Sequence, residues 1–143
     1  MQLPISEFLK SQSLTSIACL DEEGAPHSFT AYYYYDESKQ RLLFKSSGTT
    51  RHEKYFRKNP KVSGTIHPDQ ISKLHLIGAQ WKGEVNNPND FSFVFEATAM
   101  FHTAHPGAIM IPGLVWIITL EEVDFTDHHL GITPKLSWNR NAS

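Results

Sequence analysis

The residues best suited to chemistry are bunched in one stretch, Lys45-Ser46-Ser47-Gly48-Thr49-Thr50-Arg51-His52. Hydroxyls and a glycine lead into a short basic helix. There, free backbone N–H groups and the positive end of the helix dipole favour an anion. Lys45 and Arg51 add formal positive charge on either side. Thr50 followed by Glu53 has the spacing of a capping box, in which hydroxyl and carboxylate satisfy two of the free N–H groups. The stretch therefore reads either as a phosphate site or as an ordinary capped, solvated basic helix.

Other chemistries find less support. His52-Glu53-Lys54-Tyr55-Phe56 begins like a zinc protease helix but lacks the second histidine four residues on. His102 with His105, and His128 with His129, are close pairs without a cysteine nearby, so they read as helix ends and loops, and no metal is expected. There is no Gly-x-Ser-x-Gly, P-loop or dinucleotide fingerprint, and no residue stands out as a catalytic acid or base. Gln80-Trp81 offers an amide and an indole side by side in a strand, a possible wall for a flat ring or simply core plus one exposed polar residue. Cys19, the one cysteine, lies in an apolar run and reads as a small buried hydrophobe.

These residues need a scaffold, and the chain is long enough for one. Its 143 residues, 40% hydrophobic and 20% charged, describe one globular domain over 1–143. A formal net charge of -2 argues against a dedicated nucleic-acid binder. The absence of a disulfide framework, of a signal-peptide pattern at Met1–Glu7 and of a membrane-length apolar run together point to the cytoplasm.

Patterning predicts a helix over 6–12 with Ser6 as a possible cap, then strands over 13–20, 27–35 and 41–45 as an antiparallel meander, with the turn 21–26 between the first two. A helix over 50–59, a strand over 62–67 and a long strand over 71–85 with bends or bulges at Gly78 and Gly83 follow. A helix over 91–102 takes its apolar faces from Phe91, Phe95, Ala99 and Met100. After an exposed apolar connector at 109–113, a strand over 114–125 is apolar at both parities at its start, which requires burial on two sides. A last strand is expected over 135–140. The class is mainly β (α+β), with meandering strands and two or three short helices in a closed or partly closed barrel.

With the elements laid out, the chain resembles the FMN-binding split-barrel family, whose best-known members are the pyridoxamine 5'-phosphate oxidases. The resemblance rests on Leu43-Phe44, Thr50-Arg51-His52, Asn59-Pro60-Lys61-Val62, Gly78-Ala79-Gln80-Trp81-Lys82-Gly83-Glu84 and Pro112-Gly113-Leu114-Val115-Trp116 running to Phe125-Thr126-Asp127, in that order. It is nearest to a small bacterial branch with no assigned substrate. It implies a split antiparallel β-barrel, a homodimer, and FMN in a groove between subunits. The family's phosphate grip maps onto Thr50, Arg51 and His52, and the wall of the flavin ring onto Phe29, Thr30, Ala31 and Tyr32. The border of the ribityl chain maps onto Lys45, Ser46 and Ser47, and a further contact onto Gln80 with Trp81 as neighbour. His52 stands where the family has lysine, and the arginine and lysine flanking the second strand are absent, as is the C-terminal Arg-Leu pair. The resemblance thus implies a flavin-dependent oxidoreductase of unknown substrate, not a pyridoxamine 5'-phosphate oxidase. The alternatives are a non-catalytic module for a flavin, deazaflavin or haem, or a barrel with an empty site.

Overall fold

Proline is at home in the first turn of a helix, where its missing N–H costs nothing. Pro4 accordingly sits in the first turn of α1 (Leu3–Ser11), which begins ahead of the expected position. Ser6 is not a cap: it is buried inside the helix, and its hydroxyl donates to Glu37 Oε1 at 2.9 Å.

The computed structural model describes residues 1–46, 51–86, 91–128 and 135–142. After α1 come β1 (Leu14–Leu20), β2 (Pro26–Asp36), β3 (Arg41–Ser46), α2 (Arg51–Lys58), β4 (Lys61–Ile66) and β5 (Ile77–Asn86). They are followed by α3 (Phe91–Ala104), a short 3-10 helix (Pro106–Met110), β6 (Leu114–Asp127) and β7 (Lys135–Asn139). Asp21 shapes the first turn by accepting the N–H groups of Glu23 and Ala25 on Oδ1, at 2.9 and 2.8 Å. All sheet pairings are antiparallel, in the order β3-β2-β1-β4-β5-β6-β7, and β3 also pairs β6 from Arg41↔Thr119 to Ser46↔Leu114. That seam closes β1 to β6 into a barrel and leaves β7 outside against β6. Among the described residues no helix is long and apolar enough to cross a membrane.

The expected strand over 71–85 is shorter than its apolar composition suggests. β5 starts at Ile77, and Ile71, Leu74 and Leu76 are exposed. Strand propensity needs a partner in register, and the β4 and β6 ladders end at Ala79 and Ile77. Of the two expected irregularities, the bulge falls between Lys82 and Gly83, opposite Glu121.

Two apolar layers sandwich the seam. Leu42, Phe44, Trp116 and Ile118 face the barrel interior, while Leu43, Val115 and Ile117 face outward beneath Ala97 and Phe101 of α3. Both parities of β6 are therefore buried at its start, as expected. Of the expected apolar face of α3, Met100 packs against the buried Ala97 and Phe101, Ala99 is exposed, Phe95 is 82% exposed, and the side chain of Phe91 lies outside the described residues.

Trp81 fills the barrel beside Gly64, and its indole N–H donates to Thr15 Oγ1 at 3.0 Å. A methyl group at 64 would collide with the Ser16 carbonyl oxygen and with the indole ring. Gly64→Ala is expected to cost about 2 kcal/mol, within the range for overpacked cores, read from the urea midpoint. An unshifted midpoint would mean that β4 yields without strain.

Candidate functional site

Side chains alternate across a strand, so the barrel wall divides the expected site residues between inside and outside. Phe29 and Ala31 of β2 pack against the core, while Thr30 and Tyr32 face out, Tyr32 being 61% exposed. On β3 Ser46 is buried and Lys45 is half-buried on the outer side. Ser47 and Thr50 lie outside the described residues. Arg51, the first residue of α2, is exposed.

His52 turns inward. Its ring stacks on Phe29 with centroids 3.8 Å apart and planes 12° apart, and Nε2 lies 2.6 Å from Ser46 Oγ. Burial, helped by the nearby His27, pushes the imidazole down to about 4. At neutral pH it is uncharged, so it does not supply the cation that the lysine position implied. Glu53 is also drawn into the barrel: buried Oε1 accepts the Trp116 indole N–H at 2.8 Å, so this oxygen serves the core rather than a capping box. Burial outweighs that bond and the charge of Arg57, and the Glu53 carboxyl titrates above its usual range.

The His52 environment carries a pH consequence. At pH 7 the ring is neutral whether the chain is folded or not. Between pH 6.5 and about 4 the unfolded chain accepts a proton that the folded chain refuses, so stability falls as pH falls through that window. His52→Phe keeps the stack on Phe29 and cannot titrate. Urea unfolding at pH 7.5, 6 and 5 should show wild type losing ground relative to the variant; a difference independent of pH would overturn the assignment.

Lys45 is held from the far side. Its ammonium donates to the Ala108 carbonyl at 2.6 Å and to His102 Nε2 at 3.0 Å. His105 Nε2 lies 2.9 Å from the Tyr33 carbonyl, which can only accept, so Nε2 carries the hydrogen. Together these contacts frame a cleft of about 530 Å³ between the outer faces of β2 and β3 and the turn from α3 into the 3-10 helix, with Tyr32, Lys45, Phe101, His105 and Ile111 among its lining. Sequence reasoning placed His102 and His105 on a helix end without a role; the pair preceding Pro106-Gly107 was the only local signal.

Gln80 and Trp81 are not side by side. Gln80 is exposed on the outer face of β5 and Trp81 is buried inside. Gln80 belongs to an outward row in register across four strands, Thr30↔Ser16↔Thr65↔Gln80, within which Ser16 Oγ and Thr65 Oγ1 are 2.7 Å apart. The structure thus gathers Tyr32 and Lys45 in one cleft, Thr30 and Gln80 on another surface, and Phe29, Ala31, Ser46, His52 and Trp81 in the interior.

A closed six-stranded antiparallel barrel with an added strand and short helices is the split-barrel architecture. Solved structures share it. A heme binding protein from Mycobacterium smegmatis superimposes with a TM-score of 0.77 at 17% identity, covering 97% of this chain, which spans 59% of that protein. A FAD-binding protein from Mesorhizobium loti does so at 0.69 and 18% identity, covering 86% of this chain and 91% of its own. No protein-family model matches the chain. It is 30% identical over 141 residues to the UPF0306 protein PM1958 of Pasteurella multocida, covering 98% of this chain and 93% of that protein. The chain belongs to the UPF0306 family.

Proposed function

We propose that the chain binds FMN as a homodimer and that the bound flavin serves an oxidoreductase reaction on a substrate not yet identified. The observation that carries this reading is the continuity of one stretch: β3 delivers Lys45 to the cleft beside Tyr32, and the chain then reaches an exposed arginine at the first residue of α2. A cation at a helix start suits a phosphate, and an exposed aromatic on the neighbouring strand suits a flat ring. With His52 neutral and half-buried against Phe29, Arg51 and the helix N–H groups are what would hold the phosphate. Tyr32 would border the ring from the cleft, and Thr30, two residues along the same outer face of β2, would lie at its edge. Gln80 lies three strand spacings, about 14 Å, from Thr30, so its contact with the same ring would come from the second copy in the dimer. Bound flavin would supply the redox chemistry, and the protein would hold and orient it.

The test is the visible spectrum of the purified protein followed by an FMN titration. A flavin spectrum, or FMN binding at micromolar concentration, is expected; a colourless protein that takes up no FMN would sink the proposal. Haem is the second reading, favoured by His102 and His105 on the turn that frames the cleft. Haem uptake with a histidine-ligated spectrum that disappears in His105→Ala would select it.

A further inference from the structure

The cleft beneath the 3-10 helix holds a cation with no acidic partner among the described residues. Lys45 reaches it half-buried, and its partners are a carbonyl oxygen and a ring nitrogen. An ammonium only donates, so His102 presents its lone pair there and is neutral in that contact. Burial, with the Lys45 charge beside it, lowers the affinity of that ring for a proton, which agrees. Among the described residues Lys45 forms no ion pair, and no side chain lining the cleft is acidic. The remaining walls are apolar, with Phe101, Pro106, Ala108 and Ile111 among them, and Tyr32 and His105 add rings. Ile109 and Met110, both exposed, extend the apolar surface along the 3-10 helix.

We propose that this cleft takes an apolar carboxylate, its acid group on the Lys45 ammonium and its body against Phe101, Pro106 and Ile111. A volume of about 530 Å³ is the size of a small-molecule site. A charge-assisted hydrogen bond gains strength in such surroundings, and an anion removes the cost of leaving an ammonium unpaired beside apolar walls. Lys45, the one lysine or arginine among the described lining residues, sets the ligand class. One carboxylate balances one ammonium, whereas a doubly charged phosphate would bring uncompensated charge into the cleft. The ligand is distinct from FMN and, if the flavin reading holds, sits where a substrate would meet the ring.

The experiment uses the full chain without added flavin and compares 2-naphthoate with its neutral counterpart 2-naphthamide by calorimetry. The acid is expected to bind about tenfold more tightly than the amide. Lys45→Met should erase that preference, and Lys45→Arg should keep most of it. Ala104→Trp, which fills the cleft from the end of α3, should weaken both ligands. Equal affinity for acid and amide, or binding of neither at millimolar concentration, overturns the proposal, and this comparison needs no variant to fold. Binding of naphthoate without FMN binding overturns the flavin reading alone; the converse overturns this one alone.

Discussion

Asp36→Asn should lower the free energy of unfolding by about 3 kcal/mol, the low end of the cost of breaking a buried ion pair. Asp36 and Arg41 close the β2–β3 hairpin with side chains 2% and 5% exposed. Asp36 Oδ2 accepts from Arg41 Nε at 3.0 Å and from Nη2 at 2.7 Å, and Oδ1 accepts the Ser38 hydroxyl at 2.6 Å. Asparagine would leave the guanidinium buried without an anion. The damage would reach the barrel seam, because Arg41 is also the β3 residue opposite Thr119. Burial alone would raise the Asp36 carboxyl; the Ser38 bond and the Arg41 guanidinium outweigh it and hold it below its usual value. The stabilisation is therefore complete above the ordinary carboxylate range and is lost as pH falls through the lower folded-state value. Urea unfolding near pH 7 reads the cost directly. A variant within about 0.5 kcal/mol of wild type would be behaving like an ordinary surface substitution and would show that the pair is solvated. Replacing both partners by apolar residues, Asp36→Leu with Arg41→Met, should recover much of the loss, since neither charge then remains buried alone.

Arg51→Ala should weaken FMN binding by about 1.5–3 kcal/mol, roughly ten- to a hundredfold in Kd, the worth of a hydrogen bond to a charged group. The neighbouring positions make Arg51 decisive. His52 is uncharged at neutral pH and stacked on Phe29, and the Lys45 ammonium is turned toward Ala108 and His102. Arg51 is exposed, so its loss should leave the thermal midpoint nearly unchanged, and a fall in affinity would then report the ligand and not the fold. Wild-type affinity should also fall with added salt more steeply than that of the variant. An unchanged Kd would make the start of α2 a structural helix end and nothing more.

Much of the scaffold is legible without coordinates because it depends on residues close together in the chain. Asp21 to Pro26 reads as a turn, and 21–25 form one, with Pro26 already pairing Leu20; the three-strand meander follows from short polar connections between strand-forming runs. The doubled apolar parity at the start of β6 announces burial on two sides, which the barrel interior and α3 provide. The stretch over 71–76 fails the same logic, since among the described residues the β4 and β6 ladders stop at Ala79 and Ile77.

The site is legible only in part, for the opposite reason. Its anion-binding composition, Lys45 through His52, is visible at once in the sequence. What each group does there is set by partners brought from far away. Lys45 is turned by residues 57 and 63 positions distant, and Trp116, 63 positions away, takes Glu53 into the core. His52 loses its proton affinity to burial on Phe29, and strand alternation sends Gln80 outward and Trp81 inward. By itself the sequence determined a mainly β barrel with a basic helix start after its third strand. Which of those charges face solvent, which are neutralised and which meet a cleft was decided only by tertiary structure, because charge state and hydrogen bonding follow local solvation and distant neighbours, neither of which is a property of adjacent residues.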